Sequence, residues 1–224
     1  MLSYRIRKAT TGVAPHPCIL LLHGYGSNAD DLFYFAGYLP DQLTVISLEA
    51  PLDTPFGGKA WYSIHFDAAQ DKWSDLKEAE KSLVDITQQL EYFIKEYDLN
   101  PKDIGLMGFS QGAILSWSLL LDHPDQFRRA ICMSGYINTQ LLKKTLDEYQ
   151  NVLAYASHGT NDSTVPYQWA ESSVNQLMTN NPKTSFNSYP DGHNVSPENF
   201  RDLLEWISKT NLDSGRENAH LIQN

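Results

Sequence analysis

Gly108-Phe109-Ser110-Gln111-Gly112 sets a serine between two glycines at the spacing of a sharp strand-to-helix turn. In such a turn only small residues two positions either side leave room for the backbone, and the hydroxyl stands clear of it. A serine hydroxyl is a poor nucleophile near neutral pH. It needs a base, and the base needs an acid to orient it. Covalent acyl transfer is the chemistry these residues could perform.

Sites built on this turn carry their partners in the chain order serine, acid, histidine. Elimination does much of the assignment. Asp122 and Asp125 follow the apolar stretch Gln111 to Leu121, at the sheet edge away from the nucleophile. Asp147 and Glu148 fall in a polar connection, and Glu171 lies well past any strand end. Asp162 follows the apolar run that ends near Ser157, on the Ser110 edge, and is the best acid. Among the histidines, His123 is at the wrong edge, His158 is in or just beyond a strand, and His220 is in a polar tail. His193, between the last strand and the last helix, can swing over the sheet edge as the base. Asp191 remains a rival acid, although its nearness to His193 fits turn chemistry.

An oxyanion needs two preorganised donors. One is the backbone N–H of Gln111, at the start of the helix after Ser110, where the helix dipole also helps. The other is expected from the loop His23-Gly24-Tyr25-Gly26, whose glycines permit close backbone approach. His23 reads as a residue holding that loop, and Asp30 and Asp31 as caps of the following helix.

These groups must be carried by regular elements. Cys18–Leu22, Leu43–Leu48, Ile104–Gly108, Ala130–Ser134, Val152–Ser157 and Thr184–Tyr189 are short apolar runs, the pattern of strands in a mostly parallel sheet covered on both faces. Tyr4 to Lys8 reads as an N-terminal edge strand. Asp75 to Tyr97 repeats apolar residues at three- and four-residue steps, with Asp75 and Glu78 at capping-box spacing. Gln111 to Leu121 reads as a buried helix, and Ser196-Pro197-Glu198 opens the last one. Pro51 to Ser74 fits no element; its aromatics, Phe56, Trp61, Tyr62, Phe66 and Trp73, suggest an ordered loop over the site. Residues 1–212 are expected to form one domain and 213–224 a frayed polar tail.

The net charge of -10 argues against nucleic acid as a partner, since phosphates demand clustered Lys and Arg. No apolar run approaches the roughly 18 residues of a membrane span, so integral membrane association is not expected. Met1 to Arg7 leads into no apolar segment of a secretory signal. Cys18 and Cys132 sit in apolar runs and suggest neither a disulfide framework nor a metal site. Asn161 and Asn194 begin glycosylation sequons beside the proposed acid and base, where glycans would obstruct the site. A cytoplasmic protein fits best. No cofactor is called for, and a homodimer is compatible with a sequence that does not specify one.

His23-Gly24-Tyr25-Gly26, Gly108-Phe109-Ser110-Gln111-Gly112, Ser134-Gly135-Tyr136, His158-Gly159-Thr160-Asn161-Asp162 with Val165-Pro166, and Asp191-Gly192-His193 together resemble the phospholipase/carboxylesterase family. That family includes acyl-protein thioesterases and small bacterial carboxylesterases. The resemblance implies an α/β-hydrolase fold without a separate cap domain, and a triad of Ser110, Asp162 and His193. It also implies Tyr25 and Gln111 as oxyanion N–H donors, and Trp61, with Tyr62 beside it, at the acyl pocket. Hydrolysis of small-molecule or lipid-like carboxylesters, and of thioesters by extension, is the activity implied. Long-chain acyl-protein or lysophospholipid cleavage is the alternative, and a silent ligand-binding homologue the reading from another class. The residues around Tyr25 and in Pro51–Ser74 depart from the thioesterase pattern, so acyl-chain preference does not carry over.

Overall fold

The computed structural model describes residues 1–66 and 72–210, so the expected tail at 213–224 lies outside the described residues. In chain order the strands are β1 (Tyr4–Arg7), β2 (His16–Leu22), β3 (Thr44–Leu48), β4 (Leu52–Asp53), β5 (Lys59–Ala60), β6 (Ile64–Phe66), β7 (Lys72–Ser74), β8 (Leu99–Phe109), β9 (Arg129–Met133), β10 (Ala154–Gly159) and β11 (Thr184–Tyr189). The helices are α1 (Ala29–Phe33), α2 (Leu76–Glu96), α3 (Gln111–Asp122), α4 (Tyr167–Met178) and α5 (Pro197–Thr210). Seven strands make one sheet in the order β1-β3-β2-β8-β9-β10-β11. Only β1 runs antiparallel, against β3, as the edge strand expected from Tyr4 to Lys8.

Both faces of the sheet are covered, which is why its strands lack polar alternation. Along β2, Cys18, Leu20 and Leu22 enter one core cluster, while Ile19 and Leu21 enter the other. The first cluster takes Ile86, Leu90 and Phe93 of α2, most of the apolar residues of α3, and Val174 and Leu177 of α4. The second takes Leu32 of α1 and Leu203 and Ile207 of α5. Each such side chain contributes about 1.5–3 kcal/mol on burial. All residues of α3 before its last are buried, which makes it a rigid base for the residue at its head.

The α2 N-terminus departs from the expected capping box. The Asp75 carboxylate accepts the Glu78 N–H at 3.0 Å, but Glu78 accepts from Ser63 N–H at 2.7 Å rather than from Asp75. The reason is local: the Asp75 N–H is already donated to Ser63 O at 2.9 Å. Two hydrogen bonds thus tie the helix start to Ser63, just before β6.

Pro51–Ser74 is the other departure. Where the sequence shows no regular structure, β4 pairs with β5 and β6 with β7 in antiparallel hairpins. Strands of two or three residues are too short for a period of two to show. The first hairpin reaches the loop after β2: Gly26 N–H donates to Lys59 O at 2.8 Å and Lys59 N–H to Ser27 O at 2.6 Å. Phe56 at its tip is 99% exposed and covers nothing. Phe66 and Trp73 have side chains outside the described set.

Candidate active site

Ser110 lies between β8 and α3 with φ 53° and ψ -115°, a left-handed backbone that an L residue adopts only under strain. Its neighbours explain how. A Cβ on Gly108 would collide with the Gly112 carbonyl, and one on Gly112 with the Leu22 carbonyl of β2. The Ser110 N–H donates to Met133 O of β9 at 2.9 Å, locking the turn onto the adjacent strand.

His193 brings Nε2 to 2.9 Å from Ser110 Oγ and Nδ1 to 2.7 Å from Asp162 Oδ2. The loops after β10 and β11 carry these two residues, and the parallel register of those strands brings the loops to the same sheet edge as Ser110. They are held together: Thr160 N–H donates to Tyr189 O at 2.8 Å and Asn161 N–H to Asp191 O at 2.9 Å. Asp191, the rival acid, thus serves the loop through its carbonyl. Asp162 is buried, which pushes its carboxyl up. The bond from His193 and the Val165 and Thr164 N–H groups on Oδ1, at 2.9 and 2.8 Å, outweigh burial and leave it below the usual range. The carboxylate is ionised near neutrality.

One residue set aside as a base sits directly behind this acid. His158, wholly buried, places Nε2 2.9 Å from Val165 O and 3.1 Å from Asp162 Oδ2. Both neighbours are acceptors, so Nε2 carries the hydrogen. The sequence shows only that His158 and Asp162 lie four residues apart, and nothing in it shows which way a strand side chain points.

The loop after β2 passes directly beside the nucleophile. A Cβ on Gly24 would lie 3.2 Å from the Phe109 ring and 3.4 Å from Ser110 Cβ. Tyr25 follows it, and Gln111 occupies the first position of α3, where helix N–H groups have no intrahelical partner. Both candidate oxyanion donors thus lie on segments beside Ser110 and line the same cavity. His23 holds this loop, as expected: Ala50 N–H donates to Nε2 at 3.1 Å, so Nδ1 carries the proton and donates to Gly24 O at 2.7 Å. Burial lowers the His23 pKa, against the raising effect of the bond to Gly24.

Trp61 and Tyr62 part company. Tyr62 lines the cavity beside Ser110, whereas the fully buried Trp61 is absent from its lining. Instead the Trp61 indole N–H donates to His23 O at 2.9 Å, and its backbone N–H donates to Gln111 Oε1 at 2.8 Å. Gln111 Nε2 in turn donates to Tyr62 O at 2.7 Å. Trp61 therefore bridges the two segments that hold the candidate oxyanion donors. The cavity itself has a volume of about 380 Å³ and takes in Tyr25, Ser110, Gln111 and Tyr136. Among the described residues no three His, Cys, Asp or Glu gather as a metal site, and no helix is long and apolar enough to cross a membrane.

A serine on a strained turn after a buried parallel strand, bonded through histidine to aspartate, defines an α/β-hydrolase. Residues 9–211 match the family model described as Phospholipase/Carboxylesterase, and the chain belongs to that family of ester-bond hydrolases. Its relatives include a probable carboxylesterase SOBER1-like protein of Arabidopsis thaliana, 25% identical over 66% of this chain and 62% of the relative. Acyl-protein thioesterase 1 of Kluyveromyces lactis is also 25% identical, over 91% of this chain and 96% of its own length. Among solved structures, the Bacillus cereus carboxylesterase shares the fold at a TM-score of 0.79 and 20% identity, over 93% and 94% of the two chains. Zea mays acyl-protein thioesterase 2 does so at 0.70 and 20% identity, over 93% and 99%.

Proposed function

We propose that this chain hydrolyses carboxylic esters by two-step acyl transfer through Ser110. The observation that carries this reading is the continuous hydrogen-bond chain from Ser110 Oγ through His193 to Asp162. His193 Nε2 takes the hydroxyl proton as Ser110 attacks the carbonyl. Asp162 fixes the imidazole tautomer and stabilises its charge, and the Tyr25 and Gln111 N–H groups receive the oxyanion. His193 then protonates the leaving alcohol or thiol, and water clears the acyl-enzyme by the same steps in reverse. Thioesters fit the same geometry, a reading to which the similarity to acyl-protein thioesterases lends support.

We place the protein in a reducing compartment, a reading supported by two free, buried cysteines, Cys18 and Cys132. Labelling with a fluorophosphonate tests the core claim. The wild type should label and cleave p-nitrophenyl acetate. Ser110→Ala should lose the label and about a million-fold in kcat. An unlabelled, inactive wild type would sink the proposal.

A further inference from the structure

Among the described residues, the cavity beside Ser110 has no charged side chain in its lining. A phosphate or ammonium enclosed there would lose its hydration without gaining a partner, a cost of several kcal/mol. The net charge of -10 repels anionic substrates further. The lining is not plainly apolar either. Tyr62, Ile64, Leu76 and Ile114 provide apolar surface, while Asn138, Gln140 and Thr164 contribute uncharged polar groups.

Asn138 is the informative member. It is only 8% exposed and lines the cavity. Its Oδ1 accepts the Gln140 N–H at 3.1 Å, which fixes which end of the amide is oxygen. The Nδ2 amide of this lining residue then has no acceptor among the described residues and can offer its two donors to an occupant of the cavity. Against a methylene chain those donors stay unpaired, at about 1–3 kcal/mol; against a hydroxyl or ether oxygen they are satisfied. Nearby, Trp169 is half exposed at the cavity mouth and packs edge-on against Tyr136, their centroids 5.3 Å apart at 69°. A ring presented this way receives the C–H face of a sugar or polyol on its electron-rich surface.

We propose that this site selects uncharged esters bearing hydroxyl groups, partially acylated polyols and sugars, with Asn138 recognising a hydroxyl oxygen. The short acyl group lies on the apolar surface of Tyr62, Ile64, Leu76 and Ile114. Fatty esters strand the Asn138 donors, and phospholipids bring a charge that none of the described lining residues meets. This rests on Ser110 being the nucleophile, so the two claims need separate readouts.

Glycerol monoacetate and propyl acetate share an acyl group and a three-carbon alcohol, and differ by two hydroxyls. Hydrolysis followed by pH-stat should give glycerol monoacetate the higher kcat/KM by about tenfold or more, the worth of one satisfied hydrogen bond. Asn138→Ala removes the donors and should collapse that ratio to below about threefold. Asn138→Ser, which keeps a capping oxygen for Gln140 and only one shorter donor, serves if the alanine variant does not fold. p-Nitrophenyl palmitate and lysophosphatidylcholine should both be poorer substrates than the short esters. Equal or better turnover of propyl acetate, a ratio unchanged in both variants, or preference for palmitate overturns the inference while fluorophosphonate labelling leaves the hydrolase reading standing. Loss of labelling in the wild type brings down both.

Discussion

Asp162 accepts three hydrogen bonds through its carboxylate, and a residue that the sequence does not announce, His158, lies against one of its oxygens. Oδ1 is held by two backbone N–H groups, and Oδ2 sits between His193 Nδ1 and His158 Nε2. The carboxylate can orient the His193 imidazole only if its own plane is fixed, and His158, with Nε2 bonded to Val165 O, holds the residue whose N–H fixes Oδ1 and packs against the oxygen that does the orienting. A donor at the position of Nε2 is what matters. His158→Gln, which can place an amide N–H there, should retain most activity. His158→Leu should lose about tenfold or more in kcat with KM little changed, because binding does not depend on the tautomer. Equal activity in the two variants would show that His158 merely fills space. The triad itself was readable, because type and chain order suffice to eliminate rivals. His158 was not, because its role depends on side-chain direction within β10.

At the scale of elements, the turn around Ser110 and the first hairpin do the positioning. The turn holds because β2, β8 and α3 approach closely enough that Gly112 touches the Leu22 carbonyl. Gly112→Ala should therefore cost about 3 kcal/mol or more, seen as a large fall in the urea midpoint or as failure to accumulate folded protein. A variant with wild-type stability would mean that the close approach is dispensable. The hairpin was the least legible part of the fold, and Trp61 shows why. The family resemblance implied a place for it at the acyl pocket, but indole also carries an N–H, and that donor goes to His23 O. Trp61→Phe keeps the ring and removes the bond. Because an oxyanion donor is worth about 100- to 1,000-fold, slackening one indirectly should lower kcat by about tenfold and leave KM and relative preference among acyl chains unchanged. A changed chain-length profile would instead put Trp61 in the substrate's path.

For the whole molecule, the same histidine that holds the oxyanion loop couples the site to stability. His23 is buried and neutral: Nε2 must keep its lone pair for Ala50 N–H, and protonation would break that bond between the ends of β2 and β3. Its folded pKa lies below the usual 6.5, so between those two values the unfolded chain binds the proton and the folded one does not. Stability from this group is therefore full above pH 6.5, and is lost as pH falls through that window. Asp162 contributes a second loss of the same sign, but only below the usual 3.8, because its folded pKa is depressed too. Net charge pulls the other way: from -10 at pH 7 toward neutrality near the pI of 5.0, self-repulsion falls as acid is added. A single stability curve mixes these trends, and a difference separates them. His23→Gln can accept the Ala50 N–H without titrating. It should be less stable than wild type at pH 7.5, through imperfect replacement of the ring, and the gap in urea midpoint should narrow steadily between pH 6.5 and pH 5. A gap independent of pH over that range would mean that His23 does not titrate on unfolding, and that the acid sensitivity of the fold lies elsewhere.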